Sequence, residues 1–73
     1  MAEYVLDLTE FSCPVPLLRT KRALAQLQPQ DVLYLRLNLS AAIEDFRLLC
    51  RQTGRRLICV EQFPAYRQLV IGK

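Results

Sequence analysis

The sequence predicts an α/β fold, a two-layer α/β sandwich in which a mixed four-stranded sheet carries two helices on one face. Three observations predict it. Residues 32–39 alternate, with Leu33, Leu35, Leu37 and Leu39 all directed to one side, the period of a half-buried strand. The stretches before and after this run carry apolar residues at helical spacing. Two β-prone runs then close the chain around "QFPA", a hairpin turn. The order is β-α-β-α-β-β, and two helices cannot cover both faces of four strands, so both pack on one.

Each element has its own justification. Residues 4–8 alternate and are β-prone, a first strand. Residues 16–27 form a helix, with Leu17, Thr20, Leu24 and Leu27 on one stripe and Arg19, Lys21, Arg22 and Gln26 mostly off it. Pro29 and Asp31 punctuate its end. After the strand over 32–39, Ser40 is a suitable N-cap for a second helix. There Ala42, Ile43, Phe46, Leu49 and Cys50 recur at helical spacing, while Glu44, Asp45, Arg47 and Arg51 face away. Gly54 stands where a left-handed C-terminal residue is expected. Residues 56–61 and 66–71 are the last two strands, paired antiparallel. The β-α-β unit makes the first two strands parallel.

Composition narrows the function classes. The chain of 73 residues, 52% apolar, is read as one domain over residues 1–73 with a single small core. No apolar run approaches the length that spans a bilayer. The start, "MAEYVLDL", has no basic flank followed by an apolar region, so no signal peptide is expected and the location expected is cytoplasmic. The three cysteines, Cys13, Cys50 and Cys59, form no CxxC pair and are expected as reduced thiols. The chain has no histidine, which argues against a zinc site and removes the Cys-His pair of thiol proteases. Cysteine chemistry must then draw on backbone dipoles and on Lys or Arg. The net charge of +3 suits an acidic partner and is too small to argue for nucleic acid. Nor are the basic residues interleaved with surface aromatics on one face.

The stretch "FSCPVPLL" carries the candidate site. A residue before proline is driven toward extended dihedrals, so Cys13 is expected at the N-cap with Pro14 at the first helical position. Pro16 costs no helical hydrogen bond, because first-turn N–H groups have no intrahelical partner, and its expected benefit is rigidity. A sulfur placed there feels the positive end of the helix dipole, an interaction of up to about 2 kcal/mol that favours the thiolate. Arg19, Lys21 and Arg22 on the same helix are expected to assist electrostatically, and Glu10 to oppose slightly. Cys50, on the apolar stripe, and Cys59, inside a strand, are both expected to be packed and structural. Arg47, Arg51, Arg55 and Arg56 gather at the end of the second helix and read as a solvated face.

"LDLTEFSCPVPLLRTKRAL", followed by a strand, a helix containing "EDF" and a cysteine, and then "TGRRL", resembles the TusA/SirA-like sulfur-carrier (sulfurtransferase) family from residue 6 to about 71. The resemblance implies that Cys13 accepts sulfane sulfur as a persulfide and passes it to a cysteine of a partner protein. It implies a donor such as a cysteine desulfurase or a rhodanese-like protein, a sulfur-acceptor protein, and no bound cofactor. Pathways associated with the family are tRNA thiolation, molybdenum-cofactor maturation and sulfur oxidation. Cys13, Pro14, Pro16, Asp7, Asp45 and Gly54 keep the family pattern. The chain departs from it at Glu10, where glycine is common, at Asn38, Leu39 and Ser40, where an acidic pair and a proline are usual, and at Arg55, where histidine is frequent. Such changes bear on the choice of partner more than on the chemistry. A second class of function stays open: a non-catalytic regulatory or redox-sensing interaction domain that retained the fold. Gain of sulfur on Cys13 separates the two.

Overall fold

Residues 2–12 and 14–72 are described by the computed structural model. Strand β1 (Glu3–Asp7), helix α1 (Val15–Gln26), strand β2 (Val32–Leu37), helix α2 (Ile43–Gln52), and strands β3 (Arg56–Gln62) and β4 (Arg67–Gly72) follow in the expected order. They form one four-stranded sheet in the order β1-β2-β4-β3, with β1 parallel to β2 and the other pairs antiparallel. The α/β class and the mixed sheet are as the sequence predicts.

Strand β2 organises the core. Leu33, Leu35 and Leu37 are all but inaccessible, and their register partners Leu69 and Ile71 on β4 are equally so. Alternation places these side chains on one face, where Leu24 of α1 and Phe46, Leu49 and Cys50 of α2 complete the buried cluster. Each leucine so buried contributes about 1.5–3 kcal/mol of transfer free energy. The intervening residues, Tyr34, Arg36 and Gln68, lie on the helix-free face and hydrogen-bond across the strands there. The Tyr34 hydroxyl donates to Glu3 Oε2 at 2.6 Å, Arg36 Nε to Gln68 Oε1 at 3.1 Å, and Gln68 Nε2 to Glu61 Oε1 at 3.0 Å. Its bond to Glu3 holds the Tyr34 phenol proton above the ordinary tyrosine range. Strand β2 stops at Leu37, two residues earlier than expected, and Leu39 is 45% exposed in the following turn.

The chain entry and the helix ends are tied by backbone acceptors and a few polar side chains. Asp31, 5% exposed, accepts from the amides of Ala2 at 3.1 Å and Gln28 at 3.0 Å, joining the start of the chain to the α1–β2 turn. Helix α2 ends in a Schellman motif: the Gly54 amide donates to Arg51 O at 3.3 Å and the Arg55 amide to Cys50 O at 2.8 Å. Gly54 has φ +74°, the left-handed conformation expected of it. The motif turns Arg55 back onto α1, where Nη2 donates to Leu27 O at 2.8 Å and Leu24 O at 3.4 Å, and Nη1 to Gln28 O at 3.1 Å. Arg55 is therefore a cap for the other helix and not part of a solvated basic face. Of the remaining arginines in that run, Arg47 pairs with Glu44 at 3.4 Å and both are exposed.

Two cysteines are described, and they differ. Cys50 is buried as expected, and burial pushes its thiol pKa up. Cys59 is exposed, against expectation. The cause is a β-bulge: Leu57 pairs with Ile71 and Cys59 with Val70, so Ile58 is an extra residue. Leu57 keeps its place against the core, but every later residue of β3 changes face, and Cys59 turns outward. Gly72 makes room for Ile58, since a Cβ there would sit 2.9 Å from Ile58 Cδ1.

Pro16 is also more than a stiffener. Its side chain is buried at the second position of α1, and its carbonyl accepts from the fully buried Thr20 hydroxyl at 2.7 Å. Pro16→Ala is expected to lose packing as well as rigidity, lowering stability by about 1–2 kcal/mol in urea denaturation while the fold persists. Arg55→Ala is expected to lower stability by about 1–2 kcal/mol, because three carbonyls at the end of α1 lose a charged donor. Hydrogen exchange should localise that loss to the α1–β2 turn.

Candidate functional site

The candidate site is the loop that joins β1 to α1. It leaves the sheet at Leu8, 1% exposed, whose amide donates to Arg36 O at 2.9 Å and so extends the parallel pairing by one residue. An Asx turn follows: Asp7 Oδ1 accepts from the Thr9 amide at 3.0 Å and from its hydroxyl at 2.7 Å. These bonds, the backbone one first, with a smaller contribution from Arg36, hold the Asp7 carboxyl below the ordinary carboxylate range. The Phe11 amide then turns back to Leu8 O at 3.1 Å. Phe11 packs against the core, and the Arg19 guanidinium lies over its ring at 4.5 Å.

The helix start is shifted by one residue from expectation. Pro14, with φ −98° and ψ 11°, is the N-cap, Val15 is the first helical residue and Pro16 the second. The Val15 amide donates to Ser12 O at 3.1 Å, a turn that closes before the helix begins. Neither proline has an N–H to offer in that turn. No acidic side chain stands in the first turn of α1 to offset the dipole. Cys13, expected at the N-cap, lies outside the described residues. What is described around it is a tethered loop on one side and a proline-stiffened helix start on the other.

The basic residues assigned to the helix are brought together unequally. Arg19, Lys21 and Arg22 line one shallow groove with Leu6 and Leu18 along α1. Arg19 also reaches the loop through Phe11, whereas among the described residues no hydrogen bond, ion pair or cation–π contact joins Lys21 or Arg22 to the loop.

A residue that sequence reasoning treated only as a family departure proves central. Asn38, just past β2, donates from Nδ2 to Phe11 O at 3.0 Å and to Thr9 O at 3.4 Å, and accepts at Oδ1 from the Ser40 amide at 3.1 Å and hydroxyl at 2.7 Å. That last bond explains why Ser40 does not cap α2: its hydroxyl is engaged in the turn, and Ala42 is the N-cap without a side-chain bond. Glu44 and Asp45 complement the dipole there instead. The available signal was an asparagine at a strand end, a common turn former whose amide can bond main chain on two sides.

Comparison with known proteins agrees with this architecture. Residues 4–73 match the family model described as sulfurtransferase TusA. A candidate sulfur carrier protein of Neisseria meningitidis serogroup A is 41% identical over 71 residues, covering 97% of this chain and 96% of that protein. One of Methanocaldococcus jannaschii is 31% identical over 68 residues, covering 93% and 91%. The sulfur carrier protein TusA of Allochromatium vinosum is 32% identical over 53 residues, covering 73% of this chain and 70% of that protein. The chain belongs to the TusA sulfurtransferase family.

Proposed function

We propose that this protein is a sulfur carrier in which Cys13 takes up sulfane sulfur as a persulfide and passes it to a cysteine of a partner protein. The observation that carries the reading is the C-P-V-P motif at residues 13–16 in a chain whose family match covers the fold from β1 to β4. The Cys13 thiolate attacks the outer sulfur of a donor persulfide. A sulfur–sulfur bond forms as the donor's breaks, and the donor cysteine leaves as a thiolate. In the second half an acceptor thiolate attacks the outer sulfur on Cys13, and Cys13 leaves as a thiolate. Each half is a substitution at sulfur without net oxidation, so no resident cofactor is required.

The surroundings support this chemistry. A helix N-terminus with no first-turn acid favours the thiolate, and the buried Pro16 ring keeps that turn rigid. Arg19, Lys21 and Arg22 give the groove along α1 a positive character without an acidic side chain in its lining, which suits an acidic docking surface on a donor or acceptor. A donor of the cysteine desulfurase or rhodanese-like kind supplies the persulfide. All 73 residues act as one carrier domain, and a reducing cytoplasmic setting keeps Cys13 available as a thiol. Among the described residues no helix is long and apolar enough to cross a membrane.

Two experiments test the reading. Timed alkylation of the folded protein with mass mapping should label Cys13 first, the exposed Cys59 next and the buried Cys50 last. Labelling of Cys13 no faster than Cys59 would remove the argument for an activated thiol. Incubation with a cysteine desulfurase and cysteine should add one reducible sulfur to the wild type, to Cys50→Ser and to Cys59→Ser, and none to a folded Cys13→Ser. Intact mass before and after reduction gives the count. Undiminished loading of Cys13→Ser would refute the site. A Cys13 that oxidises reversibly but takes no sulfur would favour the redox-sensing module.

A further inference from the structure

Among the described residues, the loop that leads into Cys13 is tied to the rest of the fold by Phe11, packed against the core under the Arg19 guanidinium, and by few hydrogen bonds. Its own bonds are local: Thr9 to Asp7, the Phe11 amide to Leu8 O, the Val15 amide to Ser12 O. Among the described residues, Asn38 is the one side chain from another element that hydrogen-bonds it, reaching Thr9 O and Phe11 O from the end of β2. Asn38 is itself held by the Ser40 amide and hydroxyl, so its rotamer is fixed from the far side. The two functions use different ends of the amide. An aspartate of the same shape could accept from Ser40 but could not donate to two carbonyls.

We infer that Asn38 is a positioning residue for the Cys13 thiol: its amide donates to the Thr9 and Phe11 carbonyls and thereby fixes the segment entering α1. The functional half of this inference rests on the carrier reading, and the structural half does not. Sulfur exchange between two proteins requires the attacking thiolate about 3–3.5 Å from the target sulfur and in line with the breaking bond. A loop free to sample several conformations spreads the thiol over many positions, few of them aligned. Asn38 restricts that sampling without touching the reacting atoms.

The test uses the full chain and the variants Asn38→Asp, Asn38→Ala and Ser40→Ala. Hydrogen exchange at the Phe11 and Val15 amides reads the loop, and the Arg55 amide, bonded to Cys50 O at 2.8 Å, reads the body of the fold. Both Asn38 variants should speed exchange at Phe11 and Val15 about tenfold, the scale of one lost hydrogen bond, and leave Arg55 unchanged. The rate of sulfur loading on Cys13 from a cysteine desulfurase should fall by about tenfold, with the final extent still one sulfur. Ser40→Ala keeps the amide bond to Asn38 and loses the hydroxyl bond, so it should move both readouts in the same direction by less than either Asn38 variant. Asn38→Ala adds no charge, so agreement between the two variants excludes the new carboxylate as the cause. Unchanged exchange at Phe11 and Val15, or an equal rise at Arg55, overturns the positioning role, as does normal loading from a loosened loop. Should Asn38→Ala fail to fold, Asn38→Asp decides the exchange comparison, and its failure to fold as well would assign Asn38 to the structure alone. If the wild type takes no sulfur, the carrier reading fails by itself. Alkylation of Cys13 by iodoacetamide then takes the place of loading, and equal rates in wild type and Asn38→Ala overturn the inference.

Discussion

Burial of one face of β2 is the constraint from which the other contacts follow, because that strand pairs with both of its sheet neighbours and packs against α1. With Leu33, Leu35 and Leu37 inaccessible on the same side, the strand cannot slip by one residue without placing Tyr34 and Arg36 in the core. That fixes the register of β1 on one side and β4 on the other. It also settles where the functional loop begins. The parallel pairing carries β1 up to Asp7 beside Arg36, and Leu8 adds one more bond before the chain must leave the sheet. The loop then starts beside the end of β2, which is where Asn38 emerges.

The helix ends are satisfied in ways that link elements to one another. Among the described residues neither helix has a side-chain N-cap, and α1 spends its first turn on two prolines. The end of α1 is completed by a guanidinium delivered from the end of α2, through a left-handed glycine and two backbone bonds. A small domain gains from such sharing, since its core alone supplies limited stability. The arrangement also couples the α2–β3 turn to the helix that begins at the candidate site.

Much of this was legible in the sequence where a period or a special dihedral left a mark. The alternation of β2 as far as Leu37, the helical stripe through Thr20 and Leu24, and the glycine after α2 each reflect a local requirement, and each appears where expected. The misses share a different origin. Cys59 faces outward because one extra residue in β3 is accommodated over Gly72, a contact between residues far apart in sequence. Ser40 looked like a cap and serves Asn38 instead. Arg55 looked like part of a solvated run and reaches the carbonyls of a helix that ended over twenty residues earlier. The C-P-V-P motif was legible as a site because it combines a nucleophile with two residues that shape a helix start, whereas the tie from Asn38 exists only once two loops are brought together.

The bulge in β3 matters beyond the side it gives to Cys59. Strand β3 is an edge of the sheet, and Ile58 and Val60 on it are 52% and 41% exposed. A regular apolar edge of this kind presents an even row of N–H and C=O groups to any chain that meets it, which is how sheets recruit further strands and aggregate. The extra residue breaks that row and adds local twist, so an incoming strand finds no continuous ladder to extend. A carrier that must meet successive proteins and leave each of them is thereby protected against sticking to its own copies along that edge.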